Sequence, residues 1–356
     1  MSRLILYAGR RFGRFAVLLL VAPVALICYF WLSLLDTHPR WVLSTAIIML
    51  PMALLAVAFL IAMLFAGFRR SKVKGVDRSA APGLWSAWEG LVGPSRAART
   101  VIVIDDELNA SVRMERSLFG LARSRVILTV GIPLLAVTDQ KALVAILAHE
   151  NAHVINKDTN GSLRFAEFEK TFAVAFEYAS PESTISGRLL FTALGWLSKS
   201  MQKENTRLSR EAELAADRQA AKSSHAAEIA QSLLLMAAAV IFFDERVYKP
   251  LEREVLGAMQ PPRPPLERLL EAARELSDRT LLNACARKAV EQPDDKESSH
   301  PSWAQSLLAL GFAEPPEIEP VTVTALSTLL TADSATQLIR DFDQAWTKKI
   351  ARRLER

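Results

Sequence analysis

His149, Glu150 and His153 stand as His-Glu-Asn-Ala-His, an H-E-x-x-H arrangement late in a segment of helical periodicity. Residues four apart share one helical face, so both imidazole nitrogens can meet a single ion at about 2.0 to 2.1 Å. Glu150 follows the first imidazole and projects to the same side without joining the coordination sphere. It is suited to take a proton from a water whose pKa a divalent metal lowers towards about 7. Two imidazoles do not complete such a site, and Glu213 offers a third donor. A His₂Glu set leaves the fourth position open for water or a substrate carbonyl. Asp217 lies one turn beyond Glu213 on the same face, free to accept a hydrogen bond from the outer nitrogen of His149 and fix its tautomer. Glu204, Arg207, Arg210 and Glu211 lie close by, so a plain solvated helix face is the competing reading, which the neighbouring H-E-x-x-H outweighs. The cofactor expected is one Zn²⁺ per chain.

These residues need two helices and a frame to hold them. Asp139 opens a helix over Lys141 to Ile155, in which Leu143, Ile146, Leu147 and Val154 recur at helical spacing. Arg207 to Lys222 predicts a second helix whose small alanines permit close packing. Val101 to Ile104 and Arg125 to Val130 are β-rich runs between turn signals and predict a small sheet, with Asn109 to Arg113 as an edge strand. Pro82 to Gly93 forms the entry to this domain, with Trp85 and Trp88 on a short helix. Ile229 to Phe243 is strongly apolar but fifteen residues long, which favours a core helix over a membrane span. Gln260 to Pro265 reads as a loop, Gln292 to Ser299 as a polar connection, and Val323 to Arg356 as a helical tail.

The first part of the chain has a different character. Phe15 to Leu35 and Trp41 to Phe68 are uncharged runs of 21 and 28 residues, each long enough to cross about 30 Å of hydrocarbon. Five residues, Asp36 to Arg40, join them as a tight hairpin, and Pro23 and Pro51 inside the runs are tolerable in membrane helices. Arg3, Arg10, Arg11 and Arg14 precede the first run and Arg69, Arg70, Lys72, Lys74 and Arg78 follow the second, which by the positive-inside rule puts both ends in the cytoplasm. An uncleaved anchor fits better than a signal peptide, because the apolar core is too long and no small-x-small cleavage site follows. Apolar pieces within 163 to 200, such as Leu189 to Leu197, are interrupted by Glu167, Glu169, Lys170, Glu177, Glu182 and Arg188 and predict no further span. Ten of the 43 basic residues but two of the 38 acidic ones fall in residues 1 to 78, leaving 33 basic against 36 acidic beyond. The basic pI therefore belongs to the anchor and no nucleic-acid partner is expected. Two distant cysteines, Cys28 and Cys285, support neither a disulfide framework nor a cysteine metal site.

L-A-H-E-N-A-H-V-I-N-K-D (Leu147 to Asp158) followed by S-R-E-A-E-L-A-A-D-R-Q-A (Ser209 to Ala220) resembles the gluzincin family of HtpX and CAAX prenyl protease (Ste24-like). The family pattern S-R-x-x-E-x-x-A-D-x-x-A is met at every specified position. D-D-E-L-N-A (Asp105 to Ala110) resembles its Asn-Ala strand and S-S-H-P (Ser298 to Pro301) its His-Pro element, so the likeness covers about 80 to 310. Ser306 and Val112 to Glu115 depart from the family pattern, and residues 163 to 200 lack the extra spans of HtpX-type members. The resemblance implies proteolysis of a polypeptide lying along an edge strand, with Asn109 touching the substrate backbone. It also implies that His300 comes near the metal and stabilises the oxyanion.

The fold expected is α+β and mainly helical. A two-helix transmembrane hairpin (1–78) is followed by a zincin-like metallopeptidase domain with a small sheet (79–310) and a helical C-terminal extension (311–356). The function expected is a membrane-anchored zinc endopeptidase acting on membrane-associated polypeptides, as in quality control. Its expected setting is the bacterial inner membrane, multi-pass in the lipid bilayer, with both termini and the catalytic domain cytoplasmic. A signalling protease with one dedicated partner and a non-catalytic zinc-stabilised scaffold are the rivals. Processing of prenylated proteins is disfavoured by the presence of only two spans.

Overall fold

A computed structural model of the chain describes residues 2–65, 73–115, 125–155, 164–165, 168, 202–219 and 226–354. The chain is mainly helical with a small three-stranded sheet. It divides into two compact units, one of residues 1–72, 114–124 and 157–208, the other of 73–113, 125–156 and 209–356.

The first unit begins with α1 (Ser2–Phe12), followed by a short 3₁₀ turn (Gly13–Val17), α2 (Leu18–Ser33) and α3 (Pro39–Phe65). The first apolar run is thus helical only from Leu18, because Gly13 at φ 62° takes a left-handed conformation open to glycine and breaks the rod. Pro23 and Pro51 sit inside α2 and α3 as expected of membrane helices. Trp31 donates its indole N–H to Thr45 Oγ1 at 2.8 Å and ties the two helices together. Leu6, Val17, Val21, Phe59, Ala62, Phe165 and Phe168 form a small inner cluster. The outward faces carry Ile47 at 81% and Leu43 at 70% exposure, a surface costly in water and suited to lipid. Pro39–Met63 is long and apolar enough to cross a membrane, and Leu6–Val17 with Val21–Ser33 forms a second apolar rod bent by 42°. Residues 66–68 of the second run, Arg69, Arg70 and Lys72 lie outside the described residues, as do most of 163–200.

In the second unit α4 (Pro82–Val92) and a single turn, α5 (Pro94–Ala97), lead into β1 (Thr100–Asp105), β2 (Ala110–Glu115) and β3 (Arg125–Gly131). The sheet order is β1-β3-β2, so β2 is an edge strand, and β1 runs parallel to β3 with Thr100 opposite Val126 and Asp105 opposite Gly131. A short helix α6 (Ile132–Val137) precedes α7 (Gln140–Ile155). Asp139 starts α7 by accepting the Ala142 N–H at 2.7 Å, which satisfies one of the orphan donors of the first turn. Leu143, Ile146 and Leu147 of α7 pack with Ile102, Leu128 and Val130 of the sheet and with Trp88, whose indole N–H reaches Thr100 Oγ1 at 3.0 Å.

The next described helix, α8, covers residues 202–219 and begins a turn before the expected Arg207, while 220–222 lie outside the described residues. It is followed by α9 (Ala226–Phe243), whose Leu234, Leu235, Ala238, Ala239 and Phe242 enter the same core. Ala226–Leu256 is also long and apolar enough to cross a membrane, yet 61% of its most apolar window is buried inside the protein, against 22% for α3. It serves the domain as a core helix. Asp343, on the C-terminal helix Ala332–Leu354, accepts the backbone N–H groups of Leu266 and Glu267 at 3.2 Å each, capping the helix Pro265–Ala273 from a distance. The helical tail is therefore built into this unit.

Gly131 ends β3 where the Glu107 carbonyl passes so close that any Cβ would collide with that oxygen, whereas a Cβ at Gly90 in α4 meets open space. Gly131→Ala should cost about 2 kcal/mol or more and lower the midpoint of thermal unfolding by roughly 5 °C. Gly90→Ala should be neutral or stabilising by up to about 1 kcal/mol. Calorimetry of the two variants in one detergent checks this, and a Gly131→Ala protein as stable as the parent would contradict it.

Candidate metal centre

α7 and α8 meet through their polar faces. The apolar side of α7 is spent on the core, which leaves His149 and His153 on the flank towards α8 and Glu150 towards β2. His149 and His153 approach edge to face, ring centroids 4.9 Å apart at 82°, with their Nε2 atoms 3.2 Å apart. Glu213 of α8 straddles both rings. Its Oε2 lies 3.1 Å from His149 Nε2 and its Oε1 3.6 Å from His153 Nε2. All three side chains are between 13% and 18% exposed, so the cluster is enclosed but reachable from solvent.

Around this trio stand the other residues singled out in the sequence. Asp217, 2% exposed, brings Oδ1 to 3.0 Å from His149 Nδ1. The contact is off the line of a good hydrogen bond, and Oδ1 has no hydrogen-bond partner among the described residues. His300 Nδ1 lies 3.4 Å from Glu213 Oε1, with a side chain that is 72% exposed. Glu150 turns the other way, its Oε2 accepting the Val112 N–H of β2 at 2.9 Å. Asn109 does not join the cluster. It is exposed just ahead of β2, and its carbonyl accepts the Gly131 N–H at 2.9 Å. The Val112 amide is the one group at the centre that the sequence does not announce, because a backbone donor has no residue-type signature.

Burial works against charge on His149, but the close Asp217 and Glu213 carboxylates outweigh it and push the pKa up to about 10. Burial would likewise raise Glu213, yet its contacts with His149, His153 and His300 hold it below the usual carboxylate range. Glu150 is raised by burial, with the two nearby imidazoles opposing. His300 is raised by its contact with Glu213.

The donor set fits a tetrahedral ion. Bonds of about 2.0 to 2.1 Å at tetrahedral angles place neighbouring donors about 3.3 Å apart; the two Nε2 atoms are 3.2 Å apart, and the Glu213 carboxylate faces both, with Oε2 3.1 Å from His149 Nε2 and Oε1 3.6 Å from His153 Nε2. Grouping by distance alone also joins His149, Glu150 and His153, whose donor atoms lie within 4.8 Å of one another. The buried Asp217 oxygen 3.0 Å from Nδ1, without a hydrogen-bond partner among the described residues, is a second sign, since a small turn of the ring would let it accept from Nδ1–H and leave Nε2 free to bind metal.

With its pKa near 10, His149 carries a proton at neutral pH when no metal is bound, and an ion must displace it. The folded value lies above the ordinary 6.5, so the stability this proton lends the metal-free fold is complete below 6.5 and lost as pH rises through about 10. Protons compete with metal in the same sense, and apparent zinc affinity should rise about tenfold per pH unit between roughly pH 7 and 9. Calorimetric titration of zinc into stripped protein, in buffers of different ionisation enthalpy, should register about one proton released from this group. A pH-independent affinity would overturn the assignment.

A profile of peptidase family M48 matches residues 97–307. No curated protein and no solved structure matches the chain. The matched stretch is more than half of the chain and contains β1 to β3, both cluster-bearing helices and His300. Sequence motifs, the donor cluster between α7 and α8 and the extent of that match lead to one conclusion: the chain belongs to peptidase family M48, a family of zinc-dependent metallopeptidases.

Proposed function

We propose that the chain is a membrane-anchored zinc endopeptidase, with His149, His153 and Glu213 as zinc ligands. The observation that carries this is the trio of donors at 3.1, 3.2 and 3.6 Å, contributed by two helices, with a separate carboxylate beside them. Glu213 is preferred to Glu150 as third ligand because it reaches both rings, while Glu150 is engaged by the Val112 amide. A zinc ion held there supplies a Lewis acid that acidifies water and polarises a peptide carbonyl. Glu150 is the group placed to take a proton from an attacking water and to pass it to the leaving amine. Burial suits it to the task, because a raised pKa makes a carboxylate a better base. Asp217 holds the His149 ring through Nδ1, and His300, exposed at the rim, donates to the oxyanion. Substrate lies along edge strand β2, where Asn109 meets its backbone.

In this reading residues 1–78 form the anchor, 79–310 the peptidase and 311–356 an extension. The apolar surfaces of α2 and α3 and the basic residues flanking the hairpin support a multi-pass protein with termini and catalytic domain on the cytoplasmic side of a bacterial inner membrane. Its substrates are then membrane proteins or their cytoplasmic loops.

Glu150→Gln should retain zinc and lose cleavage of a peptide library by about 10²- to 10⁴-fold, since the shape of the site stays and the base is lost. Glu213→Ala should lose zinc together with activity. Asp217→Asn should keep the fold and weaken zinc binding about 10- to 100-fold, read by competition with a chelator. A non-catalytic scaffold predicts that Glu150→Gln keeps full function in cells, and cleavage by that variant at the parent rate would sink the peptidase reading.

A further inference from the structure

The exposed position of His300 raises the question of what holds it at Glu213. Its side chain is 72% exposed, so packing does little to fix it. Its backbone N–H donates to Ser298 Oγ at 3.1 Å, a contact local to its own loop. The loop is fastened elsewhere. Arg210, three residues before Glu213 on α8 and on a neighbouring part of the same face, donates from Nη2 to Asp294 Oδ1 and to Gln305 Oε1, the latter at 3.0 Å.

Those two acceptors bracket His300, which stands midway between them. Gln305 is also the anchor of the helix that follows, Trp303–Ala309. Its N–H donates to Ser302 Oγ and its Oε1 accepts from Ser302 N–H, both at 3.4 Å, in a reciprocal capping box. Its Nε2 reaches Asp294 Oδ2 at 3.5 Å and closes the ring of contacts. Arg210 is 17% exposed and Asp294 30%, so this charge-assisted link is less screened than the open surface pairs elsewhere on the chain.

We propose that Arg210 is a positioning residue that docks both stems of the 294–305 loop onto the helix carrying Glu213 and thereby holds His300 over the metal centre. The proposal rests on the peptidase reading above. One guanidinium with two donating directions suits the role, since it can hold a carboxylate and an amide oxygen at once, as a lysine ammonium on a flexible stem does less well. Because Arg210 and Glu213 share one rigid helix, a metal ligand and the loop histidine keep their spacing when the helix shifts.

The test uses the full chain loaded with zinc and a peptide that the parent cleaves. Arg210→Met and Asp294→Ala break the strap from its two ends, and the second, a truncation at a partly exposed loop residue, leaves the fold intact. Both should keep zinc content and thermal midpoint, lower kcat about 10- to 100-fold and leave KM within about threefold, as expected when a donor to the transition state is displaced by an ångström or so. Arg210→Met combined with His300→Ala should be no slower than His300→Ala alone, because the strap acts through that histidine. Parental kcat in Asp294→Ala, or losses that multiply in the double variant, would overturn the proposal while leaving the peptidase reading intact. Activity in Glu150→Gln would instead overturn the peptidase reading.

Discussion

The Glu213 carboxylate between two imidazoles is the contact on which the rest depends. His149 and His153 obtain their relation from a single turn of α7, which any helix would provide. The third donor must come from another element, and the 3.1 and 3.6 Å separations exist only because α8 lies against the polar flank of α7. The alanine-rich face of α8 permits that approach, with Ala216 fully buried about one turn beyond Glu213.

The scaffold behind α7 explains why its ligand face is stiff. Strands β1 and β3, α4 and α9 surround the apolar side of α7, and Leu143 and Leu147 are completely buried among them. A displacement of α7 would open voids in a close-packed core, each costly. The distance from the core to the edge strand is fixed in the same way, and the Val112 amide arrives at Glu150 because β2 is hydrogen-bonded to β3. The position of the base is thus set by a strand as well as by its own helix.

Much of this was legible in the residues themselves, for physical reasons that can be named. H-E-x-x-H is local, and helical periodicity alone puts its imidazoles together; Glu213 and Asp217 were found by the same four-residue spacing. The family was readable from the Leu147 to Asp158 and Ser209 to Ala220 motifs. The apolar runs were legible by length, whereas the core character of α9 was read from a fifteen-residue run that is in fact part of a longer helical stretch, Ala226–Leu256, and it rests on burial instead. What escaped was non-local or backbone-borne. The 3₁₀ turn at Gly13 depends on one glycine's φ. The Val112 N–H belongs to no residue type, and Arg210 is separated from Asp294 by 84 positions, so no periodicity links them.

The enclosure of Glu150, Glu213 and Asp217 beside two imidazoles also fixes a charge balance. When the imidazoles are neutral, the three carboxylates amount to three negative charges in a volume from which bulk water is largely excluded. A divalent cation cancels two of them and leaves one, and the geometry assigns that remaining charge to Glu150, which stands apart from the donors and is held by a lone amide. Counted this way, the centre loaded with a +2 ion keeps one net negative charge, so that an ion of another valence would change the field at Glu150, and with it the basicity available for proton transfer, even if it fitted the cage.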